Sequence, residues 1–238
     1  MKMNIKNIGF SAMALLALVS CSDVVDYSVP DRTSNHGAPV ISNIYDVQDT
    51  GFVAPLSGGA LNQMIHIKGQ NLAQVKKIRF NDVDVDVRQV YATTTDAWVK
   101  IPRVIPTVQN DELVYVTNED SVKMTFPVAI PSVSIEGLKN EFALQGNQVQ
   151  LNSDYMDLYG FNDTTETSPA TVYIENVEAG YKQVLHCDSC TEDFTSIVIP
   201  EDCPDNSLIH FAWHEISGDK TATIPYRMTN NLMLFVIR

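Results

Sequence analysis

The sequence has few basic side chains for its length. It carries 16 lysines and arginines against 29 aspartates and glutamates among 238 residues, which gives a net charge of −13 at pH 7. A surface of this sign repels a phosphate backbone, so nucleic acid is excluded as an expected partner. The basic surface that would attract anionic lipid headgroups is lacking as well.

The short motifs of common catalytic sites are also missing from the sequence. It contains no G-x-S-x-G, no glycine-rich phosphate loop and no H-E-x-x-H. Carboxylates are abundant, but no pattern sets two of them across a cleft as a glycosidase requires. These absences predict a protein that is not an enzyme and that uses no cofactor.

Long apolar runs are scarce, and the longest lies near the start of the chain. Lys2 and Lys6 precede an apolar stretch at residues 8–19, which is shorter than the roughly 20 residues that span a bilayer. A basic start followed by such a stretch predicts a signal peptide at residues 1–20. An ordinary signal peptide followed by an unrelated cysteine is the alternative to the lipoprotein signal considered next.

The end of this segment, Leu18-Val19-Ser20-Cys21, resembles the lipobox of bacterial lipoproteins. The resemblance implies that the Cys21 thiol is joined to a diacylglycerol and becomes the new N-terminus. Several acyl chains give stable anchoring where a single chain gives only marginal binding. The acidic residues Asp23 and Asp26 resemble an export signal of surface lipoproteins, which implies an outer-membrane, lipid-anchored protein exposed at the cell surface. Residues 21–38 are then a polar tether.

From residue 39 onward the apolar residues alternate with polar ones. Segments such as "MIHIKG", "KIRFNDVDVDV" and "LVYVT" are short, rich in β-branched residues and separated by Gly, Asn, Asp or Pro, which is typical of strands. No convincing helical period of 3.6 appears in this region. Many short strands at regular spacing predict an all-β fold of the sandwich type.

Three strand-like segments of the first half have counterparts about 90 residues later. The "APVISNI" segment is echoed by "IPSVSIEG", "NQMIHIKGQNL" by "GNQVQLNSDYM", and "DAWVKIP" by "FTSIVIP". This spacing is the size of one immunoglobulin-like sandwich. The sequence therefore predicts two tandem immunoglobulin-like β-sandwich domains, at residues 39–130 and 131–238.

The first half contains four short motifs, which are Pro39 with Ile41, Ile67-Lys-Gly69-Gln-Asn71-Leu72, Ile78-Arg-Phe80-Asn81, and the segment from Thr93 to Pro102. Together these motifs resemble an IPT/TIG domain, an immunoglobulin-like fold. Gly69 is expected to let the strand turn without a Cβ penalty, and Asn71 to hydrogen-bond that turn locally. Leu72 and Phe80 are expected in the core.

The segment "VSIEGLKNEFALQGNQVQLNSDYMDLYGF" of the second half is similar to the second such domain of surface glycan-binding lipoproteins. These proteins work beside outer-membrane glycan-uptake transporters, so the resemblance implies non-catalytic capture of a polysaccharide or oligosaccharide next to a transporter complex. In the family a separate C-terminal sandwich does most of the glycan binding, and this sequence stops at Arg238 before such a module. The alternative is a purely structural stalk, or a truncated remnant, that mediates protein–protein contact without binding sugar.

Trp98 is the first candidate for contact with a glycan. In "DAWVKIP" the residues Ala97, Val99 and Ile101 share one parity and are expected in the core, so Trp98 and Lys100 point outward. An exposed indole can stack on a sugar ring or pack against a neighbouring domain.

Tyr155 and Tyr159 are the other candidates for glycan contact. They lie with Phe161 in "DYMDLYGF", which is either an aromatic loop cluster that binds sugar or a packing element at the domain junction. Trp213 alternates with Ile209 and Phe211 and is expected in the core.

Three cysteines remain once Cys21 is acylated. They are Cys187, Cys190 and Cys203, and an oxidising compartment would favour a disulfide. Cys187–Cys190 and Cys190–Cys203 both remain open as pairings, and an odd number leaves one thiol unpaired.

Two other clusters resemble metal sites but are interpreted as solvent-facing. Cys187 and Cys190 are followed by His210 and His214, but two histidines four residues apart on a strand lie about 13 Å apart, too far to share one zinc ion. The run from Asp82 to Asp86 places three carboxylates on one strand face, but the mid-loop Gly and closing Glu of a calcium loop are missing. No metal site is predicted.

Overall fold

The computed structural model describes residues 31–228, apart from residues 141, 166 and 193. The predicted signal peptide and Cys21 lie outside the described residues. Within the described part of the chain, no helix is both long and apolar enough to cross a membrane. Its regular structure consists of β-strands and two short 3₁₀ helices, Val87–Gln89 and Met156–Tyr159.

The first half of the described chain forms a β-sandwich of two four-stranded sheets. In strand order the sheets are β1-β3-β7-β6 and β5-β4-β8-β9, and β2 pairs with β10 in parallel at the edge. The strands are β1 (Val40–Asp46), β2 (Gly59–Ala60), β3 (Met64–Gln70), β4 (Val75–Phe80), β5 (Val83–Asp84), β6 (Tyr91–Ala92), β7 (Asp96–Lys100), β8 (Glu112–Thr117), β9 (Ser121–Thr125) and β10 (Val128–Ala129).

The second half forms another sandwich with the same arrangement. Its sheets are β11-β13-β17-β16 and β15-β14-β18-β19, with a parallel pair of β12 and β20. The strands are β11 (Ser134–Leu138), β12 (Phe142–Ala143), β13 (Gln148–Asp154), β14 (Thr171–Asn176), β15 (Tyr181–Leu185), β16 (Cys187–Cys190), β17 (Thr195–Val198), β18 (Leu208–Glu215), β19 (Gly218–Pro225) and β20 (Arg227–Met228).

The segments that echo one another in the sequence occupy equivalent strands. β1 and β11 each lie at the edge of their sheet, and β7 and β17 each occupy the third position from that edge. Both edge strands also carry a register shift, between Ile41 and Asn43 in β1 and between Ile135 and Gly137 in β11. The prediction of an all-β fold with two tandem immunoglobulin-like sandwiches is confirmed.

Each sandwich has its own hydrophobic core. The first is built from buried residues between Ile44 and Val128, and it includes Leu72 and Phe80 as predicted. The second is built from buried residues between Ala143 and Tyr226. In each sandwich, every second side chain along a strand faces the opposite sheet, and the side chains of the two sheets pack against each other to form the core.

Gly69 lies inside β3 rather than in a turn, so the role expected for it is wrong. It pairs with Ile41 at the bulge of β1, and a Cβ atom at this position would lie 1.9 Å from the carbonyl oxygen of Val40. Only glycine permits this approach of two backbones. The local bond predicted for Asn71 is wrong as well, because its amide donates at 3.0 Å to the carbonyl of Ala38, which lies 33 residues earlier in the chain.

Polar contacts join the two sandwiches. The Arg103 guanidinium donates to both carboxylate oxygens of Asp157, and one of these bonds, from Nη2 to Oδ1, is 3.2 Å long. Its Nε lies 3.4 Å from Oε2 of Glu192. Within the second sandwich, the Tyr159 hydroxyl donates to the carbonyl oxygen of Pro131 at the start of that sandwich. A bidentate arginine–carboxylate pair fixes orientation as well as distance.

Candidate functional site

Trp98 lies on the outer face of the sheet β1-β3-β7-β6. Its neighbours along β7 behave as predicted, because Ala97, Val99 and Ile101 are at most 1% exposed whereas Lys100 is exposed. Trp98 itself is partly exposed. The alternation predicted for β7 is thus confirmed, and the indole of Trp98 lies on the outer face of the sheet, outside the core.

The strand register places three further rings beside Trp98. Tyr45 of β1 is opposite His66 of β3, His66 is opposite Trp98 of β7, and Trp98 is opposite Tyr91 of β6. Residues directly opposite each other on antiparallel strands share one face of the sheet, so their side chains meet. Phe52, from the loop between β1 and β2, adds a fifth ring. We call these five residues the aromatic row.

The rings of the aromatic row are in continuous contact. His66 stacks on Trp98 with centroids 4.3 Å apart, and Tyr91 lies 5.3 Å from Trp98 at a tilt of 45°. On the other side, Phe52 meets both His66 and Tyr45 edge-on, each at 5.2 Å. Offset and edge-to-face contacts of this kind are favourable beyond the area they bury.

Exposure differs along the aromatic row. His66 and Tyr45 are only 6% and 7% exposed although they point away from the core, because Phe52 covers them. Tyr91 is 65% exposed and Phe52 38% exposed. Tyr91, Trp98 and Phe52 therefore present ring surface to solvent, and the two covered rings support them from below.

Phe52 covers the row from an unusual backbone conformation. Its φ is 54°, in the left-handed region that bulky residues rarely adopt. The Asp49 carboxylate accepts hydrogen bonds from the next two backbone N–H groups, of Val53 and Ala54, each at 2.9 Å. The amine of Lys68 lies over the Phe52 ring, 4.1 Å from its centroid. The loop is thus held in place from both sides.

Asp96 organises the polar groups beside the row. It accepts hydrogen bonds from His66 Nε2 at 2.9 Å, Lys68 Nζ at 3.0 Å and the Thr95 hydroxyl at 2.6 Å. Burial raises the pKa of Asp96, but the bonds from Thr95, Lys68 and His66 outweigh burial and hold it below its ordinary value. Because an ionised carboxylate only accepts, the His66 Nε2 carries the proton of this bond.

Tyr155 and Tyr159 lie on the second sandwich, in and beside the 3₁₀ helix Met156–Tyr159, and not with Trp98. Tyr159 is 5% exposed. Burial, together with the Glu215 carboxylate, raises the pKa of its phenol to about 12. Tyr155 is 44% exposed, with φ at 62° and ψ at 12°. The structure thus separates two residues that the sequence grouped together.

Phe161 and Trp213 belong to the second core. Phe161 is 4% exposed and lies 5.9 Å from the Trp213 ring. Trp213 is 7% exposed, which confirms the core position predicted for it, and its indole N–H donates to Glu215 at 2.9 Å.

The three cysteines are present as thiols, two of them in contact. Cys187 and Cys190 are hydrogen-bonded to each other across the irregular register of β16. This bond raises the pKa of Cys187 and lowers that of Cys190. Cys203 is buried elsewhere in the sandwich, with its sulfur 3.5 Å from the Ser207 hydroxyl.

The acidic run around β5 does not converge on one point. Asp82 accepts from the backbone N–H of Thr107 at 3.0 Å, and Asp84 pairs with Lys77 at 3.0 Å. Asp86 instead caps the 3₁₀ helix that follows it. Each carboxylate is exposed and has its own partner, an arrangement that suits a solvated face.

Sequence reasoning singled out Trp98 but missed the other four rings of the aromatic row. His66 and Tyr91 alternate with apolar neighbours, so their outward direction is readable from the sequence. Their position beside Trp98 depends on strand register, which the sequence does not state.

The fold and this surface define an immunoglobulin-like β-sandwich protein with an aromatic outer sheet face. No protein-family model matches the chain, and no curated protein matches it.

Solved structures similar to the chain include surface glycan-binding proteins. The protein PbSGBP-B from Prevotella bryantii is 24% identical, with 83% of this chain and 44% of that chain covered and a TM-score of 0.39. SGBP-B from a complex xyloglucan utilization locus in Bacteroides uniformis is 15% identical, with 79% and 48% covered and a TM-score of 0.29. SGBP-B of the Bacteroides ovatus mixed-linkage glucan utilization locus is 12% identical, with 82% and 46% covered and a TM-score of 0.29. The chain spans less than half the length of each.

Proposed function

We propose that this protein is a non-catalytic glycan-binding lipoprotein of the cell surface, and that the aromatic row is its binding surface. The observation that carries the proposal is the continuous contact of five rings, of which Tyr91 and Phe52 are exposed and Trp98 is partly exposed. Scattered exposed apolar residues need no explanation, but a contiguous aromatic patch rimmed by polar groups marks an interaction site.

The chemistry of the aromatic row suits a saccharide. The C–H face of a pyranose ring packs on an aromatic ring by dispersion and burial of apolar area. Sugar hydroxyls both donate and accept, and Lys68, Asp96 and Thr95 offer both kinds of partner beside the rings. Because His66, itself in contact with Phe52, holds Trp98 on one side, little side-chain entropy is lost when a sugar binds.

Binding to a panel of polysaccharides tests the proposal. Affinity electrophoresis and calorimetry of the purified protein should use the neutral polymers xyloglucan, mixed-linkage glucan and galactomannan, and the acidic polymer polygalacturonate. We expect a neutral polymer to bind, the variants Tyr91→Ala and Trp98→Ala to weaken that binding at least tenfold, and no reducing ends to be released. Tyr173→Ala, on the outer face of the second sandwich, is the matched control. Uniform lack of binding would refute the proposal, and release of product would show an enzyme.

The cellular part of the proposal rests on the lipobox resemblance. Cys21 anchors the protein to the outer membrane, and the sandwiches deliver glycan to a transporter complex in the same membrane. Cys21→Ser should release the protein from the membrane fraction, and protease added to whole cells should degrade the native protein. A Cys21→Ser protein that stays in the membrane would contradict the anchor.

A stalk without sugar binding is the second candidate function. The observation that favours it is the junction at Arg103, which fixes one sandwich to the other through two carboxylates. A protein that binds no member of the panel, but copurifies with the transporter after crosslinking in whole cells, would have this function.

A further inference from the structure

We infer that the cleft between the two sandwiches is a second carbohydrate-binding site, which takes a neutral sugar unit on the ring of Tyr155. The inference extends the proposed function and rests on it. The cleft has a volume of about 480 Å³, and ligand sites occur preferentially at domain interfaces. The first sandwich lines it with Asn62, Gln63 and Arg103 among others, and the second with Tyr155, Leu158 and Glu192.

The backbone of Tyr155 is the first observation behind the inference. A φ of 62° is unfavourable for a bulky side chain, and Gly or Asn would adopt it more easily. Among the described residues, Tyr155 and Phe52 are the aromatic residues with positive φ, and Phe52 belongs to the aromatic row. A strained residue persists where its surroundings fix it, and such residues cluster at functional sites. Here the strain places a ring that is 44% exposed on the wall of the cleft.

The polar groups of the cleft are held in place before any ligand arrives. Arg103 is fixed by Asp157 and Glu192, at distances of 3.2 and 3.4 Å. The Gln63 amide donates to Asp46 at 2.7 Å and accepts from the backbone of Ala60 at 2.9 Å. Groups oriented in this way can bond sugar hydroxyls with little loss of side-chain freedom.

The charge of the cleft selects a neutral sugar. The guanidinium that lines the cleft, Arg103, is already paired with two carboxylates, Glu192 in the lining and Asp157 beside it, so it offers no unpaired positive charge to a ligand. An anionic ligand would have to displace one of the carboxylates from Arg103. A uronic acid polymer or a phosphorylated ligand is therefore disfavoured, whereas a neutral sugar can stack on Tyr155 and bond the amides of Asn62 and Gln63.

Two sites on one chain predict a dependence on ligand length. When a polymer reaches both the aromatic row and the cleft, its binding to the second site is intramolecular, and this raises its overall affinity. A short oligosaccharide occupies one site at a time and gains nothing. Loss of Tyr155 should then weaken binding of a polysaccharide more than binding of a tetrasaccharide to the aromatic row.

The test uses the neutral polysaccharide of the panel that binds best and a tetrasaccharide cut from it. Tyr155→Asn removes the ring while it suits the left-handed backbone, so the melting temperature should hold or rise. Calorimetry should show polysaccharide binding weakened by about tenfold, an estimate from the effective-concentration gain of linked sites. Tyr155→Phe restores the ring and should recover the binding that Tyr155→Asn loses, and Tyr173→Asn is the control for loss of an outward-facing tyrosine.

The outcomes separate this inference from the proposed function. If Tyr155→Asn binds the polysaccharide as tightly as the native protein while Trp98→Ala does not, the cleft is no binding site and the aromatic row stands. If Tyr155→Phe fails to recover binding, stacking on the ring is refuted. If polygalacturonate binds the native protein but not the Tyr155→Asn variant, the assignment of the cleft to neutral sugars is overturned. If nothing in the panel binds, the proposed function and the inference fall together.

Discussion

The substitution His66→Ala tests whether the aromatic row is organised in advance of binding. His66 is 6% exposed, so it has almost no surface to offer a sugar. It stacks on Trp98 at 4.3 Å, meets Phe52 edge-on at 5.2 Å and donates to Asp96 at 2.9 Å. Its effect on binding must therefore pass through the rings that it holds, which makes it a positioning residue.

The expected loss of stability follows from these three contacts. Two aromatic pairs contribute about 0.5–1.5 kcal/mol each, and a hydrogen bond to a charged acceptor contributes about 1.5–3 kcal/mol. Asp96 keeps its bonds to Lys68 and Thr95 after the change, so the lower end of each range applies. We expect His66→Ala to lower the free energy of unfolding by about 2.5 kcal/mol.

The expected loss of affinity follows from the freed rings. Fixing one side chain again on binding costs about 0.5–1.5 kcal/mol, and both Trp98 and Phe52 lose their neighbour. A total near 1.5 kcal/mol corresponds to binding that is about tenfold weaker. His66→Phe keeps both ring contacts and loses only the bond to Asp96. It should lose about 2 kcal/mol of stability but recover most of the affinity.

Urea unfolding and calorimetry with the best polysaccharide measure the two effects. His210→Ala is the matched control, because His210 stacks on Tyr173 at 4.7 Å and bonds Thr223 at 3.1 Å on the second sandwich. It should lose about 1–3 kcal/mol of stability with unchanged affinity. Native affinity in His66→Ala, or an equal loss in His210→Ala, would refute the positioning argument.

Three further predictions concern the bulge, the acid limit and the thiols. Gly69→Ala should lower the free energy of unfolding by about 3 kcal/mol, measured in urea, because its Cβ would meet the Val40 carbonyl at 1.9 Å. Asp96 has its pKa depressed below 3.8, so its stabilisation is present above the ordinary carboxyl pKa. That stabilisation is lost as pH falls through the folded-state value, which a melting series below about pH 5 should show. In an oxidising buffer Cys187 and Cys190 should form the disulfide, seen by peptide mass spectrometry as a linked pair.

Each of these predictions has a control within the chain. A Cβ atom at Gly51 meets only the tip of the Val53 side chain at 3.2 Å, so Gly51→Ala should be tolerated. Asp96→Asn should reduce the acid-dependent loss of stability, and an unchanged pH profile would assign that loss to another group. Cys203→Ser should leave the disulfide intact, whereas a linked peptide containing Cys203 would contradict the pairing.

The direction of a side chain on a strand was predictable because it depends on local alternation alone. Ala97, Val99 and Ile101 are inward and Trp98 is outward, as their parity indicates. The identity of the neighbours across the sheet was not predictable, because it depends on register. That register involves the bulge of β1 and the close approach at Gly69, features set by pairing between distant segments.

Whether an aromatic residue in a loop is buried or exposed could not be predicted from the sequence, for a different reason. Tyr155 and Tyr159 are four residues apart in a single short segment, yet one is exposed in a cleft and the other is buried. Tyr159 packs into the second core, and its hydroxyl bonds Pro131 near the start of the second sandwich. Phe52 lies between two strands with no periodic neighbours, and its place over His66 is a tertiary contact.

One residue of the aromatic row and one residue of the cleft share a backbone conformation that local preferences do not explain. Phe52 and Tyr155 each adopt a left-handed backbone that their bulky side chains disfavour, and each presents an exposed ring. Natural sequences agree with local preference except where function or tertiary contact compensates the cost. The bonds from Arg103 to Asp157 hold the two sandwiches together, so the aromatic row and the cleft keep a fixed position relative to each other. A polymer that fits both should be held more tightly than the sum of two mobile sites would allow, since less orientational freedom is lost on the second contact.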